Sequence, residues 1–289
     1  MIKSLLIVFS AFLLFSCNED ITPSWLEIPA MNFTTDEPVE GANSQSIDDA
    51  WVYMDGKVLG VFELPARIPI LDEGEHTFII YAGVRENGIN YYRVKYPFYE
   101  RYETTLTLVK GETVSVTPQI TYKSNLRFEM IEDFEAPGMY LEDAFNSQTS
   151  LVFLSEADAP DTVKYGFRCG AIHLTETDSM YKGVTSQFLD LPKNEDVYLE
   201  IDYMNNNSMV MSTIAQNSAD ILEEVPYAQF NPMKENENLK WKKMYIPLID
   251  NVSFRTTATS YEVYFLALLD PDQTTGFIYI DNIKIICYE

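Results

Sequence analysis

The chain predicts an all-β protein built from two β-sandwich domains, the second larger than the first. Three observations carry this. From Ile47 onward apolar residues recur with period two, which sends alternate side chains to opposite faces of a strand. Short apolar runs bounded by polar turns continue to the C-terminus at high density, with no sustained helical period. The 289 residues leave room for two domains of ordinary size, and 46% hydrophobic residues supply each with a core.

The N-terminus reads as an export leader. Lys3 precedes the apolar run Leu5 to Phe15, whose eleven residues fall well short of the roughly 20 that span a bilayer as a helix. Leu14-Phe15-Ser16-Cys17 resembles a bacterial lipobox, although Phe15 stands where small residues are usual. That resemblance implies removal of residues 1–16 and lipidation of Cys17, with acyl chains holding the protein on a membrane. Asn18-Glu19-Asp20 resembles the export signal of surface lipoproteins in Bacteroidetes-type bacteria, which implies an outer-membrane, cell-surface location. Residues 17–46 carry Pro23, Pro29 and Pro38 among small polar residues and are expected to form a tether. The alternative is an irregular first strand, since Trp25-Leu26-Glu27-Ile28 could pair.

Residues 47–122 form the first predicted sandwich. Trp51 to Asp55-Gly56 reads as a strand entering a tight turn, and Lys57 to Phe62 as the returning arm of a hairpin. Pro65 to Leu71 is edge-like because proline cannot donate to an interior ladder. Asp72 to Glu75 then turns into His76 to Gly83. This order resembles the PEGA family of small β-sandwich modules, without the PEGA tetrapeptide itself, and implies a non-catalytic extracytoplasmic interaction module. Residues 85–103 interleave Tyr91, Tyr92, Arg93, Tyr96, Tyr99 and Arg101 within an acidic chain. Tyr and Arg combine large contact area with a polar handle, so these six are candidate interface residues, the alternative being rings that fill the sandwich. Leu106 to Val116 is expected as a hairpin around Lys110-Gly111.

The second domain is placed at 126–289. Its opening segment Glu129 to Glu135, the run Trp241 to Leu248 and the closing Phe277 to Cys287 resemble the galactose-binding-like jelly rolls of many carbohydrate-binding modules. The resemblance implies a jelly roll, with a structural calcium where the acidic opening meets the last strand: Glu132, Asp133 or Glu135 with Asp281. Calcium needs converging oxygens, and the alternative is plain surface carboxylates. It also makes Tyr181, Asn205, Asn206, Asn207 and Tyr227 the candidate glycan contacts, with Trp241 expected in the core. Asp161-Thr162-Val163 and Asp178-Ser179-Met180 resemble Bacteroidetes O-glycosylation sequons, which would modify Thr162 and Ser179.

A net charge of −24 argues against nucleic acid as a partner, because such binding needs a cationic footprint. Cys169 and Cys287 could pair in an oxidising compartment or remain free. No G-x-S-x-G, Walker or H-E-x-x-H motif is present, and the histidines are His76 and His173 alone, so no enzymatic role and no cofactor is expected. The leading expectation is an accessory subunit of an integral outer-membrane protein complex for export, assembly or nutrient uptake. The alternative is a glycan-binding lipoprotein of a polysaccharide-utilisation system.

Overall fold

A computed structural model describes residues 22–159, 162–217, 219, 222–233 and 239–289, and the chain is all-β. The leader and Cys17 lie outside the described residues. The first sandwich uses β1 (Ser24–Ile28), β2 (Asn32–Phe33), the four-residue helix α1 (Glu37–Glu40), β3 (Asp49–Met54), β4 (Lys57–Glu63), β5 (Ala66–Ile70), β6 (Gly74–Arg85), β7 (Arg93–Lys95), β8 (Tyr102–Leu108), β9 (Thr113–Ser115) and β10 (Gln119–Ile120). The second uses β11 (Leu126–Glu132), β12 (Leu141–Asp143), β13 (Val152–Ser155), β14 (Arg168–Thr175), β15 (Met180–Thr185), β16 (Val197–Asn205), β17 (Met209–Asn217), β18 (Leu222–Phe230), β19 (Lys242–Pro247), the short helix α2 (Ile249–Ser253), β20 (Ala258–Leu268) and β21 (Thr275–Tyr288).

The predicted hairpin forms as β3 and β4. Asp55 (φ 49°) and Gly56 (φ 76°) both occupy the left-handed region that a two-residue turn matching strand twist requires. One sheet runs β4-β3-β6, and the long β6 pairs with β8 along its first half and with β7 along its second. It packs on β5-β1-β9 and the small β10-β2 sheet through Val52, Phe78, Ile80, Leu26 and Ile28, all fully buried.

Two expectations are corrected here. Residues 24–33, expected within the tether, are strands of this sandwich: β1 pairs antiparallel with β5 and parallel with β9, and Leu26, Ile28, Met31 and Phe33 are buried. Their alternation supplies an inward face, while Pro29 falls just past the end of β1 and costs no ladder bond. The turn at Lys110-Gly111 exists, with Gly111 at φ 82°, but β9 does not fold back on β8. It crosses to β1, whose exposed edge accepts it in parallel.

The second sandwich stacks β13-β14-β21-β16-β19, with β11 also on β21, against β12-β15-β20-β17-β18. The fourteen-residue β21 is the spine. It pairs with β14 and then β11 on one edge and with β16 along the other. Leu199, Ile201, Ile278 and Ile280 from one sheet meet Met211, Tyr261, Val263 and Phe265 from the other. Cys169 and Cys287 are buried free thiols, and burial pushes Cys169 up to about 12, so it stays protonated.

All nine residues of β16 are buried, although its sequence alternates apolar with polar. Val197, Leu199, Ile201 and Tyr203 belong to the sandwich core. Tyr198, Glu200 and Asp202 alternate with them and face the other way, where the first sandwich covers them. The first sandwich therefore closes over the outer face of this sheet, and the two sandwiches are fused.

Candidate functional site

The joint is built from both ends of the chain's aromatic complement. Tyr96, Phe98, Tyr99 and Tyr122 of the first sandwich pack against Tyr198, Tyr245 and Ile286 of the second. Tyr96 stands edge-on to Tyr198 at 5.1 Å and to Tyr245 at 4.8 Å, and Phe98 lies 5.2 Å from Tyr288. In the middle sits Glu200, fully buried. Tyr96 Oη donates to its Oε1 at 2.7 Å, Tyr122 Oη lies 3.0 Å from both oxygens, and Lys243 Nζ pairs with Oε2 at 2.9 Å. Burial works against the carboxylate, but Lys243, Lys284 and the Tyr96 hydroxyl outweigh it and hold Glu200 below the ordinary glutamate range. Burial likewise opposes the Lys243 ammonium, and Glu200 with Asp202 raises it. Lys284 has no such close acid. It donates to Ala42 O at 2.8 Å, and burial together with Lys243 lowers it to about 8. Backbone continuity adds to the joint, because Asn87 N donates to Tyr245 O at 2.9 Å and Glu86 bridges in parallel to Tyr245.

Beside this joint the sandwiches part to leave a cleft of about 770 Å³. Trp241, Lys243 and Tyr245 alternate along one face of β19 and its lead-in. The first sandwich contributes Ser46, Asp48, Arg85, Asn87 and Asn90, and the opposite rim contributes Lys164, Gln229, Asn231, Lys240 and Lys242. Trp241 is half-buried, and its indole N–H donates to Thr162 O at 2.6 Å, which fixes the ring's attitude. Arg85 pairs with Asp48 at 3.3 Å and donates to Asn90 Oδ1 at 3.0 Å. Two buried acceptors here have no hydrogen-bond partner, Asn87 Oδ1 and Asp202 Oδ2.

The six candidate interface residues divide. Tyr96 and Tyr99 are 3% exposed and closed inside the joint, so they contact the second sandwich rather than an outside partner. Arg93 is held by Asp49 and Glu63, and Arg101 pairs with Glu103 at 3.2 Å on the surface. Tyr91 and Tyr92, 77% and 51% exposed, lie tilted against each other with ring centroids 4.7 Å apart in the loop that carries Asn87 and Asn90 to the cleft.

The candidate glycan contacts are mostly interior. Tyr181 is fully buried on the inward face of β15. Asn205 Nδ2 donates to Asn207 O at 2.8 Å, Asn207 Nδ2 to Leu268 O at 2.8 Å, and Asn206 Oδ1 accepts from Phe277 N at 2.6 Å, so the three amides brace a turn. Tyr227 is half-buried near Asn87 and Glu86. Trp241, expected in the core, lies on the cleft wall instead. Its signal was legible as the odd member of the 241, 243, 245 alternation, whose partners carry polar groups.

The carboxylates assigned to calcium do not make a shell. Glu132 is spent on backbone, accepting from Phe134 N at 2.8 Å and Tyr140 N at 2.5 Å. Glu135 Oε1 accepts from Phe167 N at 2.7 Å and Arg168 N at 2.9 Å, and Asp133 Oδ1 from Glu135 N at 3.0 Å. Asp281 alone keeps a buried oxygen without a partner, and burial with nearby Asp202, Asp133 and Glu135 raises its carboxyl to about 9. One such oxygen is far from the roughly six that calcium takes, and among the described residues no three His, Cys, Asp or Glu side chains are arranged to hold a metal. At the two glycosylation sequons, Thr162 is half-buried beside Trp241, and Ser179 Oγ donates to Gln148 Oε1 at 3.1 Å.

Neither a family model nor a curated protein matches the chain. Solved structures similar to it include the CBM22-1 xylan-binding domain of Paenibacillus barcinonensis Xyn10C, at 10% identity over 56% of this chain and 96% of that one, TM-score 0.40. A carbohydrate-binding module specific for non-crystalline cellulose, CBM28, is similar at 14% identity over 53% and 91%, TM-score 0.38. The K3 cleaved adhesin domain of Lys-gingipain from Porphyromonas gingivalis is similar at 12% identity over 56% and 98%, TM-score 0.35.

Proposed function

We propose that this protein is a non-catalytic glycan-binding protein that takes its ligand in the cleft between its two sandwiches. The observation that carries the reading is the cleft itself. At about 770 Å³ it falls within the usual range of about 300–1,000 Å³ for ligand sites, and one oriented Trp stands among Asn87, Asn90, Gln229 and Asn231. A sugar presents C–H faces to an aromatic plane and a ring of hydroxyls to amides, and this lining offers both. The unpartnered Asn87 Oδ1 is an acceptor that a sugar hydroxyl would satisfy. The two lining carboxylates, Asp48 and Asp202, sit with Arg85 and Lys243, so they are poorly placed to act as the acid and base of glycoside hydrolysis. Lipidation of Cys17 would hold this cleft at the outer-membrane surface, and Thr162, beside Trp241, and Ser179 would carry O-linked sugars.

Calorimetric titration of the full chain with a panel of oligosaccharides tests this. Saturable binding to at least one, lost in Trp241→Ala while the variant still unfolds cooperatively, is the expected result. A panel without binding removes the reading. The accessory-subunit reading keeps a narrower base, the exposed Tyr91–Tyr92 pair with Arg101, and predicts a stoichiometric partner on purification in mild detergent that Tyr91→Ser/Tyr92→Ser releases.

A further inference from the structure

We infer that the cleft selects acidic glycans, polymers bearing carboxylate or sulfate groups, over neutral ones. The inference rests on the glycan reading of the cleft and deepens it. The chain is strongly acidic, with 20 Lys and Arg against 44 Asp and Glu. Yet five cations, Arg85, Lys164, Lys240, Lys242 and Lys243, line this one cleft, against the carboxylates of Asp48 and Asp202. Those two acids are already committed, Asp48 to Arg85 at 3.3 Å and Asp202 to Lys243 at 4.0 Å, and Lys243 also holds Glu200. Lys164, Lys240 and Lys242 are left on the rim without an ion-pair partner among the described residues, with Lys164 and Lys240 exposed.

Five cations against two carboxylates reverse, within this one cleft, the ratio of the chain as a whole. A local excess of cations around a cleft of so acidic a chain suits a ligand that brings its own negative charge. Long-range repulsion from the acidic remainder does not forbid this, because beyond about 8 Å at physiological ionic strength exposed charges are largely screened. Within the cleft the contacts are short and the walls are protein, so the attraction survives. Trp241 and the amides would hold the sugar rings, and the lysines would read their acid groups.

The test titrates the full chain with polygalacturonate, chondroitin sulfate and neutral xylan of matched length. Intrinsic tryptophan fluorescence is read at ~0.05 M and ~0.5 M salt. We expect one or both acidic polymers to bind about tenfold or more tighter than xylan at low salt, and the advantage to shrink at high salt. Polygalacturonate carries carboxylates alone and chondroitin sulfate carries carboxylates and sulfates, so binding of the second without the first points to sulfate as the group read. Lys164→Gln/Lys240→Gln/Lys242→Gln, three surface changes checked by an unaltered melting curve, should lower the acidic affinity to that of xylan. Xylan binding as tightly as the acidic polymers, or acidic binding that ignores both salt and the triple variant, overturns the inference while leaving the glycan reading standing. Failure of every polymer to bind removes both.

Discussion

The joint between the sandwiches and the cleft beside it share strand β19, and they treat the same residue types in opposite ways. At the joint, Lys243 and Glu200 are buried together, and tyrosine hydroxyls complete the carboxylate's bonds. A few residues earlier along the same chain, Lys240 is exposed and Trp241 half-exposed, in a cleft whose cations outnumber its acids. The aromatic stretch makes the same division: Tyr96 and Tyr99 are closed inside, whereas Tyr91 and Tyr92 stand in solvent. What separates the two regions is whether polar groups find their partners within the chain. Where they do, the surface is spent on structure. Where they do not, it is available to something else.

The sharpest way to break this contrast is Glu200→Ala. It leaves the Lys243 ammonium buried without its carboxylate, and removing one partner of a buried pair costs about 3–5 kcal/mol. Chemical denaturation should report that loss, and an unchanged midpoint would mean the joint is not the sealed unit described.

Lys284 gives the joint a pH signature. Its folded pKa, lowered to about 8 from 10.5, lies below its unfolded value, so between those limits the unfolded chain binds more protons and stability rises with pH. The contribution of Lys284 should be about 3 kcal/mol across that window. Cys169 and the buried tyrosines, raised by burial, contribute the opposite slope in both proteins, so the test is the difference between Lys284→Met and the parent in chemical denaturation at pH 8 and pH 10; a difference that does not change with pH would contradict the assignment.

Tyr96→Phe removes one donor to Glu200 but leaves Tyr122 and Lys243 in place, for a loss of about 1–2 kcal/mol. In the cleft, Trp241→Ala should cost about 1 kcal/mol of stability, since the ring is only half-buried, while removing ligand binding. Smallest of all, Tyr91→Ser and Tyr92→Ser should each stay within about 0.5 kcal/mol of the parent in thermal melts. A large loss there would place those rings in a packing role that their exposure denies.

Much of the architecture was legible along the chain. Alternation from Trp51 to Phe62 around Asp55-Gly56 specified a hairpin because only residues tolerant of positive φ make that turn. The closing run Phe277 to Cys287 declared a strand by its β-branched alternation, and it is the spine of the second sandwich. Less was legible of the site. Tyr181, Asn205 and Asn207 have the composition of a sugar contact, but each is committed to the interior or to bracing a turn. Trp241 has the composition of core, yet it lines the cleft.

By itself the amino-acid order determined the strands, the class of fold, the acidity and the lack of a catalytic motif, because each follows from neighbours a few residues apart. Only the tertiary structure decided which faces were already covered. Residues 24–33 read as tether until β5 and β9 flank them, and nothing along β16 says that the first sandwich will close over Glu200 and Asp202. Period two states that a strand has two faces. It cannot state what lies against each, because those contacts join residues far apart in the chain, as Tyr96 joins Glu200.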